Sequence, residues 1–139
     1  MMAKKRLLIS SGTSFEPVYG YSRAVRVGNT VHVAGTTAID EGGKVVGEGD
    51  VYAQLVFAIQ KIERALHAAG ATLEDVVRTR TFVTDITQWR DVARAHGQFF
   101  TDIRPAATLV EVRALISPEL LVEIEVDAVV DDAVDGTNE

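Results

Sequence analysis

Three carboxylates recur at alternate positions in the segment "LLVEIEVDAVV", which runs from Leu120 to Val130: Glu123, Glu125 and Asp127. Alternation of apolar and acidic residues with a period of two is typical of a β-strand, and it places the three acids on one face. A partly buried carboxylate can act as a general acid or base, because burial raises its pKa. The acids therefore either line a site or belong to a solvated surface with scattered salt bridges.

A second charged face follows from the segment "VVRTRTFV", Val76 to Val83, in which Arg78, Arg80 and Phe82 share one strand phase. A face that mixes arginine, phenylalanine and glutamate fits a surface that packs against another subunit, where acids and arginines can pair. We predict that Arg78 or Arg80 reaches the acids of the last strand from a neighbouring chain. The alternative interpretation is a solvated face with local salt bridges.

The remaining composition excludes several kinds of chemistry. The chain has no cysteine, which removes disulfides and thiolate sites, and its three histidines, His32, His67 and His96, are too scattered for a metal cluster. We predict no metal and no cofactor, and we interpret His96 as a core histidine. The net charge of −6 disfavours nucleic acid. No apolar run approaches the roughly 18 residues of a membrane span, and the short apolar start does not fit a secretion signal, so we predict a cytoplasmic protein.

The patterns along the 139 residues predict an α+β fold in which two helices cover one face of a sheet. The predicted strands and helices are, in order, the hairpin "AVRVGNTVHVAG", a helix from Val51 to Ala69, the strand "DVVRTRTFVTD", the helix "TQWRDVARAHGQFF", and the strands "RPAATLVEVRAL" and "LLVEIEVDAVV". The apolar phase of the last strand should meet the helices, which leaves the acids on the other face. Residues 1–130 are predicted to form a single domain, followed by an acidic tail over 131–139 that lacks periodicity and is predicted to be disordered.

Four stretches together resemble one protein family: "YSRAVRVGNTVHVAG", "KIERALHAAGATLEDVVRTRTFVTD", "FFTDIRPAATLVEV" and "VEIEVDA", which span roughly Gly20 to Ala128. This is the Rid family of reactive intermediate (enamine/imine) deaminases, also labelled endoribonuclease L-PSP or translation initiation inhibitor. The resemblance implies a chorismate-mutase-like fold and a homotrimer whose sheets form a central barrel. It also implies small ligands in the three clefts between subunits.

The resemblance assigns roles to three residues. Glu123 matches the cleft glutamate, the catalytic residue that positions or activates water for hydrolysis of 2-imino or 2-enamino acids to 2-oxo acids and ammonia. Tyr21 would donate a hydrogen bond to the ligand or stack on it, with an interface aromatic as the alternative. Gly35 would offer its backbone N–H to the ligand, or would mark a β-bulge.

Other positions depart from the family pattern. The arginine that clamps the substrate carboxylate is replaced by Ala107, the small or thiol residue two places later by Leu109, and an asparagine of the second helix by Ala93. We still place Ala107 and Leu109 at the substrate. An arginine clamp contributes two charge-assisted hydrogen bonds of about 1.5–3 kcal/mol each, so alanine should leave activity on 2-imino acids weak or absent.

A different arginine can take the place of the missing clamp. Arg80 is the preferred candidate, because a strand can direct it across the interface, and its alternative role is pairing with Glu125. Arg104 lies three positions before Ala107 and should point to the opposite side of an extended segment.

Three functions fit these observations. The first is a trimer that hydrolyses a small neutral or cationic enamine or imine, other than the usual 2-imino acids, with water held by Glu123. The second is a trimer that binds or senses a small molecule without turnover. The third takes the endoribonuclease label literally, against the acidic net charge of −6.

Overall fold

The computed structural model describes residues 5–131, and six strands within this range form one mixed sheet of order β1-β2-β3-β6-β4-β5. Neighbouring strands are antiparallel except β4 and β5, which are parallel. The elements are β1 (Leu7–Ile9), α1 (Phe15–Tyr19), β2 (Ala24–Val27), β3 (Thr30–Thr36), α2 (Val51–Ala68), β4 (Val76–Val83), α3 (Trp89–Phe100), β5 (Ala106–Glu111) and β6 (Val122–Val129). The predicted acidic tail lies, beyond Asp131, outside the described residues.

The long helix α2 covers the core face of the sheet. It begins after Asp50, whose side chain accepts a hydrogen bond from the backbone N–H of Ala53 as an N-cap. Its fully buried side chains recur at helical spacing and include Leu55, Ile59, Ile62 and Leu66. The helix ends one residue before the predicted Ala69, and the following Gly70 has a φ of 82°, which a residue with a side chain rarely adopts.

The strand β6 separates the apolar and acidic residues as predicted. Val122, Ile124 and Val126 are buried in the core cluster that includes α2 and α3 side chains. The alternating acids Glu123 and Glu125 lie on the opposite face and are only partly exposed. We call that side of the sheet the open face, since neither α2 nor α3 covers it. The α+β architecture with the two long helices on one face is therefore confirmed.

Several elements differ from the predicted ones. The short strand β1 and the five-residue helix α1 were not predicted, and the predicted second helix begins later, at Trp89. Its expected first turn is instead a 3-10 turn at Ile86–Gln88, because the side chain of Asp85 accepts a hydrogen bond from the N–H of Thr87 at 3.0 Å. Gly97 lies inside α3 without interrupting it.

The strand β5 begins only at Ala106 because the backbone turns sharply before it. Arg104 has a φ of 58°, and it is the one non-glycine residue with positive φ in the part of the chain that the structure describes. Its backbone N–H donates to the carbonyl of Phe100 at 2.9 Å, which closes the end of α3. Across residues 5–131, no helix combines the length and apolarity needed to cross a bilayer.

Candidate functional site

Glu123 lies directly over Gly35 on the open face. The pairing of β3 with β6 shifts between Val33 and Thr36, and this β-bulge brings Gly35 beneath the Glu123 side chain. A β-carbon built on Gly35 would lie 2.0 Å from Oε2 of Glu123 and 3.0 Å from its Cδ. A residue larger than glycine would therefore displace the carboxylate, so the bulge and the glycine together set its position.

Arg23, just before β2, contacts both Gly35 and Tyr21. Its Nη2 donates to the carbonyl oxygen of Gly35 at 2.6 Å, and its Cζ lies 5.6 Å from the centroid of the Tyr21 ring. Its Nε is buried and has no hydrogen-bond partner among the described residues. We call Arg23, Tyr21, Gly35 and Glu123 the acid site.

The charges of the acid site oppose one another. Burial raises the pKa of Glu123, the nearby Arg23 guanidinium acts against that rise, and the charge of Glu125 adds to it. Burial prevails, so the carboxyl group holds a proton at higher pH than an exposed glutamate does. A carboxylate with a raised pKa is a stronger base than an exposed glutamate, which suits proton transfer from water.

A partly buried lysine on α2, Lys61, lies close to the same arginine. Burial, together with the charges of Arg23 and Arg64, lowers the pKa of Lys61 to about 8. Its Nζ donates to the carbonyl oxygens of Thr37 and Ile39 at 2.8 and 2.9 Å. Lys61 thereby attaches the loop that follows Gly35 to the helix.

Arg80 forms ion pairs further along the open face. Its Nη1 lies 3.0 Å from Oε2 of Glu125 and 3.3 Å from Oδ2 of Asp127. The predicted contact between a β4 arginine and the β6 acids is present, but both partners belong to one chain, so the expectation of a neighbouring chain was wrong for this pairing. The reason is the register, which places Arg80 directly opposite Glu125. Asp127 also contacts Nδ1 of His32 at 2.7 Å.

Ala107 and Leu109 lie on the helix side of the sheet, away from Glu123. They pair with Thr79 and Thr81 of β4, whose side chains are buried on the core face, whereas Glu123 pairs with Phe82 on the open face. Ala107 and Glu123 therefore do not share a cleft within a single chain.

Ala107 and Leu109 instead line a cavity of about 640 Å³ between β5 and α3. Its other walls include Ala93, His96 and Arg104. We call this the helix-side cavity. Arg104, expected to point away from Ala107, lines the same cavity, because its positive φ breaks the extended segment on which that expectation relied.

The side chain of His96 extends from α3 to β4. Its Nε2 lies 2.9 Å from Oγ1 of Thr79, and its ring centroid lies 4.6 Å from that of Phe100. Burial lowers its pKa, which favours the neutral ring. These contacts agree with the interpretation of His96 as a core histidine that has a hydrogen-bond partner.

A second cavity, of about 650 Å³, lies on the open face beside the acid site. Its walls include Tyr21, Ala34, Glu125 and Asp127. Tyr21 also packs edge-to-face against Phe15 and Tyr19, with ring centroids 6.2 and 5.7 Å away, so its ring is held in place by other aromatic rings. An open space thus adjoins Tyr21, one of the side chains that the sequence assigned to a ligand.

The sequence indicated Tyr21, Gly35 and Glu123 as site residues, and the structure places all three around Arg23. The sequence did not indicate Arg23 itself. The available indication was the spacing in "YSRAV": two residues apart in an extended segment, Tyr21 and Arg23 share a side. Lys61 had no such indication, because its position near Arg23 depends on how α2 crosses the sheet. Within residues 5–131 the structure groups no three acidic or histidine side chains that could hold a metal ion.

Comparisons with known proteins agree on one family. The sequence profile of the family described as Endoribonuclease L-PSP matches residues 11–130. The chain is 38% identical over 120 residues to the protein SCO2049 of Streptomyces coelicolor, covering 86% of this chain and 89% of the relative. It is 32% identical over 120 residues to the 3-aminoacrylate deaminase RutC of Acinetobacter baylyi, covering 86% of this chain and 94% of the relative.

A solved structure gives the same result at the level of the fold. The crystal structure of Rv2704 from Mycobacterium tuberculosis, a member of the YjgF/YER057c/UK114 family, superposes with a TM-score of 0.84 and is 55% identical. The match covers 91% of this chain and all of that one (100%). The sequence motifs, the arrangement of the sheet and these matches have one explanation: the chain belongs to the endoribonuclease L-PSP family, which is the Rid family.

Proposed function

We propose that this chain hydrolyses a small reactive enamine or imine at Glu123. The observation that carries the proposal is the half-buried Glu123 carboxyl group, which lies over Gly35. Burial raises the pKa of this carboxyl group, and the Arg23 guanidinium lies nearby. Membership of the Rid family supports a small-molecule, deaminase-like activity. The RutC relative supplies the first compound to test, 3-aminoacrylate.

The reaction needs one water molecule and one proton relay. An enamine first becomes the imine, as solvent delivers a proton to its carbon and removes one from its nitrogen. Glu123 accepts a proton from water as the water oxygen bonds to the imine carbon, and it then returns that proton to the nitrogen. The hydroxyl group of the resulting carbinolamine gives up its proton, which passes to the nitrogen as the carbon–nitrogen bond breaks, so ammonia leaves and the carbonyl product remains.

The proposed assembly is a homotrimer with ligand clefts between subunits. The open face supports this, because it carries partly exposed apolar side chains among its charges: Leu8 is 56% exposed, Val110 41% and Val129 46%. A second argument is the separation of Ala107 and Leu109 from Glu123 on one chain, since only another copy can bring the helix-side cavity near an acid site.

The substrate class follows from position 107. Alanine there offers no hydrogen bond to a substrate carboxylate, so we propose that the usual 2-imino acids are poor substrates. Arg80 is a poor replacement for the clamp, because its guanidinium is already paired with Glu125 and Asp127. Binding a substrate carboxylate would require these ion pairs to break.

Substitution of Glu123 tests the proposal directly. Ammonia release from freshly generated 3-aminoacrylate should fall at least about 100-fold in Glu123→Gln, the loss expected when a general acid–base group is removed. Glu125→Gln is the matched control, since it lies two residues along the same face but is bound by Arg80. Equal activity of Glu123→Gln and the unaltered protein would contradict the proposal.

The pH profile gives an independent check. Glu123 must be ionised to accept the proton, so kcat/KM should decrease as the pH falls through its pKa, and burial places that pKa above the ordinary value of 4.5. A profile that stays flat down to pH 4.5 would exclude Glu123 as the base.

The alternative function is binding without turnover. One observation favours it: at positions 93, 107 and 109 the helix-side cavity offers alanine, alanine and leucine, which supply no hydrogen bond to a reacting group. A ligand that raises the melting temperature without releasing ammonia would support this alternative.

A further inference from the structure

The acid site contains a cation whose charge is not taken up by an ion pair. Arg80 is paired with two acids, whereas Arg23 has no carboxylate within 4.0 Å among the described residues. Arg23 is nevertheless close enough to Glu123 for its charge to act on that carboxylate. A partly buried guanidinium that lacks a partner favours an incoming anion.

The hydrogen bonds of Arg23 lead to the same conclusion. A guanidinium has five N–H donors, and the contacts within the described residues use one nitrogen, Nη2, on the carbonyl of Gly35. The buried Nε has no acceptor within those residues. The enclosed Nε is out of reach of a ligand, but Nη1, which also has no acceptor among the described residues and is not buried, can donate to a ligand oxygen.

The position of Arg23 is set by rigid elements. It immediately precedes β2, and its backbone joins neighbouring strands: its N–H donates to the carbonyl of Ile9, and its own carbonyl accepts from the N–H of Ala34, at 2.8 and 3.0 Å. The Tyr21 ring lies beside the guanidinium at 5.6 Å. A side chain held in this way can bind an anion with little loss of conformational entropy.

We propose that Arg23 binds the anionic group of the substrate, in place of the arginine that is absent at position 107. This inference rests on the proposed function and changes one part of it. The substrate is then an anionic enamine or imine that reaches Arg23, rather than the neutral or cationic compound that Ala107 alone suggests.

The kinetic test compares an acid with its uncharged ester. The assay measures ammonia release from 3-aminoacrylate and from its methyl ester by the unaltered protein and by Arg23→Gln, which removes the charge and keeps a polar side chain. We expect the KM for 3-aminoacrylate to rise at least tenfold while the kinetics of the ester stay unchanged. Arg26→Gln is the matched control, because Arg26 lies three residues later, in β2, and also donates to carbonyl groups, of Gly28 and Ala69.

The pH profile separates binding from a structural role. Because the Arg23 charge lowers the pKa of Glu123, Arg23→Gln should move the acidic limb of the profile to higher pH. Arg23→Lys retains the charge and should restore most of that shift. Equal losses on the acid and the ester, with an unmoved limb, would overturn the inference.

A binding experiment keeps the inference testable if no turnover occurs. Calorimetric titration with propionate and with the isosteric, uncharged propionamide measures affinity for the anion alone. Propionate affinity that falls at least tenfold in Arg23→Gln, with no change for propionamide, supports Arg23 even if ammonia release is absent and the proposed function fails. Turnover that depends on Glu123 but not on Arg23 would leave the proposed function standing and would reject this inference.

Discussion

At the scale of single residues, the acid site depends on the lack of a side chain at Gly35. Gly35 does not need a left-handed backbone, so its requirement for glycine comes from the Glu123 carboxyl group that occupies the space of a β-carbon. The bulge in β3 provides that close approach. The observed position of the Glu123 carboxyl group therefore requires glycine at position 35.

The Gly35–Glu123 contact predicts a coupled pair of substitutions. Gly35→Ala should lower the free energy of unfolding by about 1–3 kcal/mol, the usual cost of overpacking, because the new methyl group displaces the carboxylate. In a Glu123→Ala background most of that cost should disappear, since the clashing atoms are gone. Urea denaturation of the four proteins of this cycle measures the coupling.

Gly42→Ala is the control for the change from glycine to alanine. Its β-carbon would meet only Oδ1 of Asp40 at 3.4 Å, an ordinary contact. Additive costs for Gly35→Ala and Glu123→Ala would contradict the close approach of the two residues.

At the scale of elements, α3 is joined to the sheet by a polar contact within an apolar interface. Val92, Ala95 and Phe100 pack into the core, and His96 reaches Thr79 of β4 between them. Burial makes the charged ring unfavourable, so this contact is stable only while His96 is neutral.

The His96 contact predicts a loss of stability in mild acid. The pKa of His96 is lowered in the folded protein, so its contribution is complete above the unfolded value of about 6.5 and decreases as the pH falls from there through the folded pKa. Between pH 7.5 and 5.5 the unaltered protein should therefore lose more free energy of unfolding than His96→Gln. His67→Gln, at a histidine whose side chain is 56% exposed, should behave like the unaltered protein. Equal pH dependence of the three proteins would argue against burial of the ring.

The elements also show how far the sequence could predict the fold. The period of β6 and the spacing of α2 identified the core side of both, because burial of apolar side chains depends on those local patterns. The parallel pairing of β5 with β4 could not be predicted, since it depends on the turn at Arg104 and on contacts distant in sequence.

The same limit applies to the acid site. The strand phase and the family resemblance indicated Glu123, and Gly35 indicated a possible β-bulge, whereas the contact of Arg23 with a residue twelve positions away depends on strand pairing that the sequence does not show. The pairing of Arg80 within one chain follows from strand register, which the sequence pattern left open.

At the scale of the whole molecule, the sheet separates two half-sites. The acid site faces the open side, and the helix-side cavity with Ala107 faces the other. In the proposed homotrimer, the cavity edge of one copy meets the acid site of the next. Light scattering at micromolar concentration should therefore show a species of three 15.0 kDa chains, and a monomer would contradict the assembly.

The substitution Ala107→Arg tests whether these half-sites meet. Position 107 is exposed at the beginning of β5, so a long side chain fits there without disturbing the core. In the trimer its guanidinium would bind the carboxylate of a 2-imino acid, and ammonia release from iminopropionate should rise at least tenfold, which corresponds to about 1.4 kcal/mol of transition-state binding. If the guanidinium instead pairs with Glu123 of a neighbouring copy, activity stays level and the melting temperature rises.

Thr108→Arg is the matched control for Ala107→Arg, because it adds the same charge one residue later, on the opposite face of β5. It should give no gain in activity. Dilution separates the two arrangements further: since Glu123 and position 107 face apart within one chain, any gain from Ala107→Arg must vanish as the trimer dissociates. A gain that persists in the monomer would place both groups in a single-chain site. A trimeric variant with neither higher activity nor higher melting temperature would show that position 107 does not approach the acid site of another copy.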